Sequence, residues 1–570
     1  MQPQRGMTLI DVVVGTALVL IIFLALFGTL RASILLSTLI KNEATANAVA
    51  VNQMEYVRSL PYDSVGTVGG IPAGTIPEYA TTTEDGVNYS VRTFIDYYDD
   101  PADGTGSNDT NGITTDYKRV KVTVSYTVGG KSWQETLNSD YAPPGLETTL
   151  NGGTLQVAVV NAVGSPVAGA TVTITNASTS PTVNLTTFSD VNGWVSLPGA
   201  ATSTQYAVTV TKSGYSTAQT YQRTITNQNP TPGYLTVVQN QTTSGTFAID
   251  VLGLLTLNTF SPIATSTFSD SFADASKLSS LTNSAAGGGA LTLAGGAGNY
   301  SGSGTAVSST TAPSYLVSWG AVNGSISAPG GTTAVVHIVD GSGSLLPESV
   351  LPGNAAGFTS FPINLYGVST STYSSLALSA SLTTTSTSTT PSLSNWSLSY
   401  RSGPIPLPNV AFTLTGAKTI GTTGAGSPIY KTTVSGNTGS TASSQQTLEW
   451  DSYSLSTPSY DIQDACSAPP FALAPGASIS ESLILGPATS NSMLVSVTDS
   501  SGNLVPGATV TLSRTGYSQT VTTSSCGTAY FGGISSATDY AVTVSKTGYT
   551  GNSASGVTVS GETLYAISFQ

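Results

Sequence analysis

From Val12 to Leu30 the chain runs 19 residues without a charge. At about 1.5 Å per residue, a helix of that length covers about 28 Å, close to the depth of a bilayer's hydrocarbon core. The apolar run does not close on a small-residue cleavage motif, as a signal peptide would. It continues through ILLSTLI (34–40) into a polar-flecked segment where Leu39, Ala46, Ala50, Met54 and Val57 recur at spacings of 7, 4, 4 and 3. That spacing sets one apolar stripe along a helix. Pro61 follows Leu60, and its missing N–H and ring clash end the helix there. One helix of about 50 residues, roughly 75 Å long, is predicted.

After Pro61 the hydrophobic period falls to two. VNYSVRTFIDYYDD (87–100) and YKRVKVTVSYTVGGKSWQETL (117–137) alternate apolar and polar positions, and Gly129-Gly130 reads as a two-residue hairpin turn. A small antiparallel sheet is expected over 61–148, with APPG (142–145) as a boundary. An internal repeat follows: AGATVTI (168–174) returns as PGATVTL (506–512), and YAVTVTKSGY (206–215) returns as YAVTVSKTGY (540–549). Gly169 and Gly507 are expected to allow the turn before a strand. Tyr206 and Tyr540 start strands that alternate Val toward an inner face. Tyr215 and Tyr549 read as packing lids. Between the copies, 268–403 reads as a larger sandwich of short strands with Gly-rich turns, and 404–487, opened by PIPLPNV, reads as another β unit.

Composition agrees with a mainly β chain. Only 8% of residues are charged, 60 are Gly, and the net charge is −13, which repels a polyanion and argues against nucleic acid as a partner. Two cysteines are too few for a thiolate zinc site or an iron–sulfur cluster. The one histidine, His337 in TTAVVHIVD, sits in a strand pattern and reads as a partly buried strand residue. There is no GxSxG, HExxH or phosphate-binding loop, so no catalytic residues are assigned and no enzyme is expected. Trp319 and Trp396 read as core residues rather than sugar platforms. The tract SLTTTSTSTTPSLS (381–394) reads as an exposed loop or an O-glycan acceptor. No cofactor is required. The loop carrying Asp99, Asp100, Asp103 and Asp109 offers oxygen ligands that would suit calcium, but its spacing is not that of an EF-hand, and a solvated acidic loop is the plainer reading.

RGMTLID (5–11) resembles the type IV prepilin signature: a short basic leader ending in Gly, then an apolar residue, Thr, Leu, Ile and an acid. The resemblance implies cleavage after Gly6 by a membrane prepilin peptidase, methylation of the new amine on Met7, and retention of the helix as anchor and assembly element. Asp11 would be the fifth mature residue, where the family usually carries Glu. A carboxylate in lipid is costly unless paired, and a neighbouring subunit's N-terminal amine is the partner that filament stacking supplies. Gly28 stands near the depth where many pilins place a Pro, a point where the helix can open locally. The repeats resemble carboxypeptidase-regulatory-like β-sandwiches, used as surface spacers, and 268–403 looks like a jelly roll.

The expected order is leader 1–6, helix 7–60, pilin-like sheet 61–148, regulatory-like sandwich 149–250, jelly-roll-like sandwich 251–403, immunoglobulin-like sandwich 404–488 and a second regulatory-like sandwich 489–570. In an extracellular setting Cys466 and Cys526, in adjacent units, are expected to form a disulfide. The function implied is a minor type IV pilin-like subunit, held in the inner membrane before it joins other pilin subunits through the helix. Its sandwiches would project at the cell surface, with adhesion to a surface or carbohydrate ligand as a further expectation. A pseudopilin of a secretion or DNA-uptake machine, and a membrane-anchored surface enzyme or carbohydrate-binding protein, stay open as alternatives.

Overall fold

The computed structural model describes residues 9–102, 104, 113, 115–144 and 152–570, with side chains from Val13 onward. Helix α1 (Leu9–Arg58) is 50 residues long and runs unbroken through Gly28. From Val13 to Thr38 its side chains are exposed. Farther along, Ala46, Ala50, Met54 and Val57 are buried, with Leu39 partly so. The two alanines let the sheet backbone approach. Met54 and Val57 each add about 1.5–3 kcal/mol by leaving water.

That sheet is an antiparallel meander of β1 (Tyr79–Glu84), β2 (Val87–Tyr98), β3 (Tyr117–Val128) and β4 (Lys131–Tyr141). Tyr89, Val91, Ile95, Val120, Val122, Val124 and Tyr126 point to the helix and form one core with it. Gly129 and Gly130 turn the β3–β4 hairpin at φ +60° and +79°, the left-handed pair that matches strand twist in a two-residue loop.

The repeated segments fold alike. In the first, a three-stranded sheet (Thr242–Ala248, Gly152–Val160, Trp194–Ala201) faces a second sheet built on Ser203–Thr211, Thr171–Asn176 and Val183–Phe188. In the last, Thr528–Gly532, Ser492–Thr498 and Glu562–Ser568 face Tyr517–Thr522, Thr509–Arg514, Ala537–Ser545 and Asn552–Val559. Gly169 and Gly507 both sit at φ +66°. The hydrogen bonds repeat as well. Tyr206 and Tyr540 donate to the carbonyls of Ala201 and Ser535, five residues back, each at 2.9 Å. Lys212 and Lys546 donate to the carbonyls of Ala168 and Pro506.

The middle of the chain departs from the expected boundaries. Strand Gly253–Ser261, assigned by sequence to the 251–403 unit, belongs instead to the following one. It pairs in parallel with Ser478–Pro487 and antiparallel with Ser443–Leu448 and Ile405–Pro406. Leu255 and Leu257 lie in the core with Val410, Phe412, Leu414 and Leu483. The larger sandwich, from Ala264 to Ser402, is therefore an insertion between two strands of a host unit. Its two sheets, of six and four strands, enclose a separate core. An alternating strand reads the same whichever partner it finds, so its membership was not local information.

Candidate assembly helix and junctions

Helix α1 is long and apolar enough to cross a membrane, with a mean hydropathy of 2.6 in its most apolar window, a test that a signal sequence also passes. Where it leaves its exposed segment, the β3–β4 turn approaches Leu35, and Phe27, Leu30, Ile34, Leu35 and Val128 line a shallow apolar groove of about 360 Å³. Lys41 pairs with Asp85 at 2.9 Å, both exposed. At the far end Lys118, 2% exposed, donates to the carbonyls of Tyr62 (2.7 Å) and Val65 (2.8 Å). Burial pulls its ammonium down to about 8, since a charged group loses hydration there. This lysine ties the short turn that follows the helix, Tyr62–Ser64, to β3.

The β1–β4 sheet docks on the first repeated sandwich. Ile71 is in that sandwich's core, with Phe94 and Tyr97 against it. The Asn184 amide donates to Gly69 at 2.8 Å, and Arg92 donates to the Thr186 carbonyl. A cleft of about 810 Å³ remains at this contact, lined among others by Asp96, Tyr98, Gln156, Phe188 and Trp194. Burial pushes the Asp96 carboxyl up to about 7, against an opposing pull from Arg119. Trp319 and Trp396, in contrast, are fully buried. Neither offers a face to a sugar.

The disulfide region is built from polar groups that sequence reading did not single out. Cys466 and Cys526 are bonded, with Cα atoms 4.3 Å apart. Beside them Asp461, 3% exposed, accepts from the Thr489 hydroxyl (2.7 Å) and amide (3.0 Å) and from Tyr530 (2.6 Å). Asp464 accepts from Ser524 (2.7 Å) and Thr528, and the Ile462 amide donates to Glu562 at 2.8 Å. Burial raises the Tyr530 hydroxyl to about 12. Leu494, from the last sandwich, lies in the core of the unit before it. One strand, Tyr460–Ala465, thus fastens two units. The repeat carried a signal for Cys526: it replaces Asn192 of the matching Asp190–Gly193 turn, and both turns close through the same i→i+3 bond, Gly193 to Asp190 and Gly527 to Ser524.

Of the other sequence-selected residues, Gly6 and Met7 lie outside the described residues. Asp11 falls in the first turns of α1. Asp99 and Asp100 follow the end of β2. The Asp100 amide donates to Asp116 and its carboxylate accepts from Ala102. Asp103 and Asp109 lie outside the described residues. Among the described residues no three acid, His or Cys side chains converge as a metal site. His337 is partly buried, its Nδ1 2.7 Å from the Asn354 carbonyl.

Residues 492–570 match the family model of the carboxypeptidase regulatory-like domain. This regulatory-like domain is the second copy of the repeat, and the hydrogen bonds above extend its pattern to the first. No curated protein matches the chain. Among solved structures, the TIE protein of Bacillus anthracis is similar at 11% identity over 86% of this chain and 73% of that one, with a TM-score of 0.16. BcpA, the major pilin subunit of Bacillus cereus, is similar at 10% over 74% and 99%, TM-score 0.14. The major pilin SpaD of Corynebacterium diphtheriae is similar at 11% over 73% and 96%, TM-score 0.12. At such TM-scores none of these likenesses bears on function.

Proposed function

We propose that this chain is a minor, type IV pilin-like structural subunit, not an enzyme. It is held in the inner membrane by one helix, processed by a prepilin peptidase, and assembled with other pilin subunits through that helix, with its sandwiches outside the cell and available for adhesion. One observation carries the reading. A single continuous helix is largely apolar and exposed from Val13 to Thr38 and packed on a β-meander farther along, and the prepilin-like RGMTLID stands at its start. An exposed apolar half of that length needs lipid or neighbouring helices around it.

The test is the mature N-terminus. Peptide mass analysis of protein purified from its native membrane is expected to find a chain beginning at N-methylated Met7. A chain that begins at Met1, or beyond residue 30, overturns the pilin reading; an intact start leaves a plain anchor, and loss of the helix leaves a secreted protein.

A further inference from the structure

Three of the chain's sandwiches share one wiring. In each, the first strand and the last strand are neighbours and run parallel. Gly152–Val160 pairs with Thr242–Ala248, Gly253–Ser261 with Ser478–Pro487, and Ser492–Thr498 with Glu562–Ser568. Each pairing is seven consecutive residue pairs long. The chain enters every unit at the start of one of these strands and leaves at the end of the other.

From this we infer a further function: the three sandwiches form a tension-carrying tether, and the inserted sandwich is a side module kept out of the line of force. When the two ends of such a unit are pulled apart, the first strand is drawn toward its own start and the last toward its own end. Parallel strands then slide along each other, and the evenly spaced hydrogen bonds between them bear the load together. Antiparallel terminal strands would present both loaded ends on one side and open a pair at a time. Forced unfolding follows the unfolding barrier, and a barrier that requires many bonds to break together falls less per unit of force than one crossed bond by bond.

The insertion has the opposite wiring. Its two connections to the host lie side by side, Ser261 against Ile405 and Phe260 against Pro406, reinforced by the Leu407 amide on the Thr259 carbonyl (2.8 Å) and the Thr259 hydroxyl on the Leu407 carbonyl (2.7 Å). Tension between the host's ends does not separate these points while the host stays folded. At the next junction the Cys466–Cys526 bond supplies a second covalent route between the host unit and the last sandwich, parallel to the backbone. The inference takes from the anchored reading only that the chain is loaded at its two ends.

Single-molecule pulling of the full chain in detergent tests both parts. Handles on Val251→Cys and Ala488→Cys, at exposed positions flanking the host, are expected to show host rupture first and the insertion's extension of roughly 46–50 nm, the span of its residues 264–402, only afterwards. Insertion extension that precedes host rupture overturns the side-module assignment. A second comparison keeps Pro144→Cys as one handle and places the other at Val251→Cys, which slides the first sandwich's parallel pair, or at Gln239→Cys, beside the start of its last strand, which peels it. The sliding geometry is expected to break at the higher force; equal forces overturn the tether. A chain that fails the N-terminal mass test yet keeps this order and this force difference loses the pilin reading and retains this one.

Discussion

A carboxylate partly withdrawn from water prefers its proton, and the half-buried Asp96 shows the consequence at the scale of one side chain. Its carboxyl stands near 7 in the folded protein against an ordinary value of 3.8, with burial as the main cause. Between those pH values the folded state holds a proton that the unfolded state has released, so stability is greatest in acid and falls as pH rises from about 4 to about 7. The cost at high pH is at most about 4 kcal/mol for a shift of this size. Asp96→Asn keeps the shape and removes the charge. Its melting temperature is expected to exceed that of the native chain at pH 8 and to match it near pH 4, by thermal melts across that range. An unchanged difference at both pH values would reject the burial account. Nothing in IDYY separates this acid from its neighbours, because its surroundings come from the sandwich that docks on β2.

At the scale of an element, helix α1 was the most legible part of the chain. Spacings of 3, 4 and 7 identified the side that meets the sheet, and the structure buries Ala46, Ala50, Met54 and Val57 of that stripe. The physical reason is that a long periodic segment needs no knowledge of its partner. Strand Gly253–Ser261 shows the limit. Its residues fell inside the expected 251–403 unit, but its parallel partner lies beyond an inserted sandwich, and only the folded core with Val410 and Leu483 assigns it. Asp461 and Asp464 were hidden for a similar reason, since polar positions in a strand ordinarily face water and these face another unit.

The helix also carries the prediction for Asp11. If that carboxylate meets the N-terminal amine of a neighbouring subunit, Asp11→Ala is expected to insert in the membrane as well as the native chain, because the segment becomes more apolar. It is expected to be depleted from sheared filaments, by the roughly 3–5 kcal/mol that breaking a buried ion pair costs. Asp11→Glu, with the family's usual reach, is expected to incorporate at least as well as Asp11. Immunoblots of membrane and filament fractions read all three, and equal incorporation sinks this role.

At the scale of the whole molecule, the last two units are joined by the Cys466–Cys526 bond and by two carboxylates of one strand, the buried Asp461 and the half-buried Asp464. The bond closes a separation of 60 residues, worth roughly 4 kcal/mol on the chain-entropy model. Cys466→Ser paired with Cys526→Ser is expected to lower the denaturant midpoint of these units, and reduction of the native chain is expected to do the same. Urea titrations followed by the fluorescence of Trp450, the one tryptophan in 405–570, with and without reductant, measure it; coincident curves would show that the polar contacts alone hold the junction.

The side-by-side connections of the inserted sandwich reach beyond mechanics. Because Ser261 and Ile405 are already neighbours in the host sheet, the host does not depend on what lies between them. Whatever selective pressure acts on the module's outward surface, its sequence can diverge, or be exchanged for another fold with adjacent ends, without disturbing the strands that frame it. The wiring thereby lets one polypeptide carry a module whose sequence can change without moving the frame's paired ends.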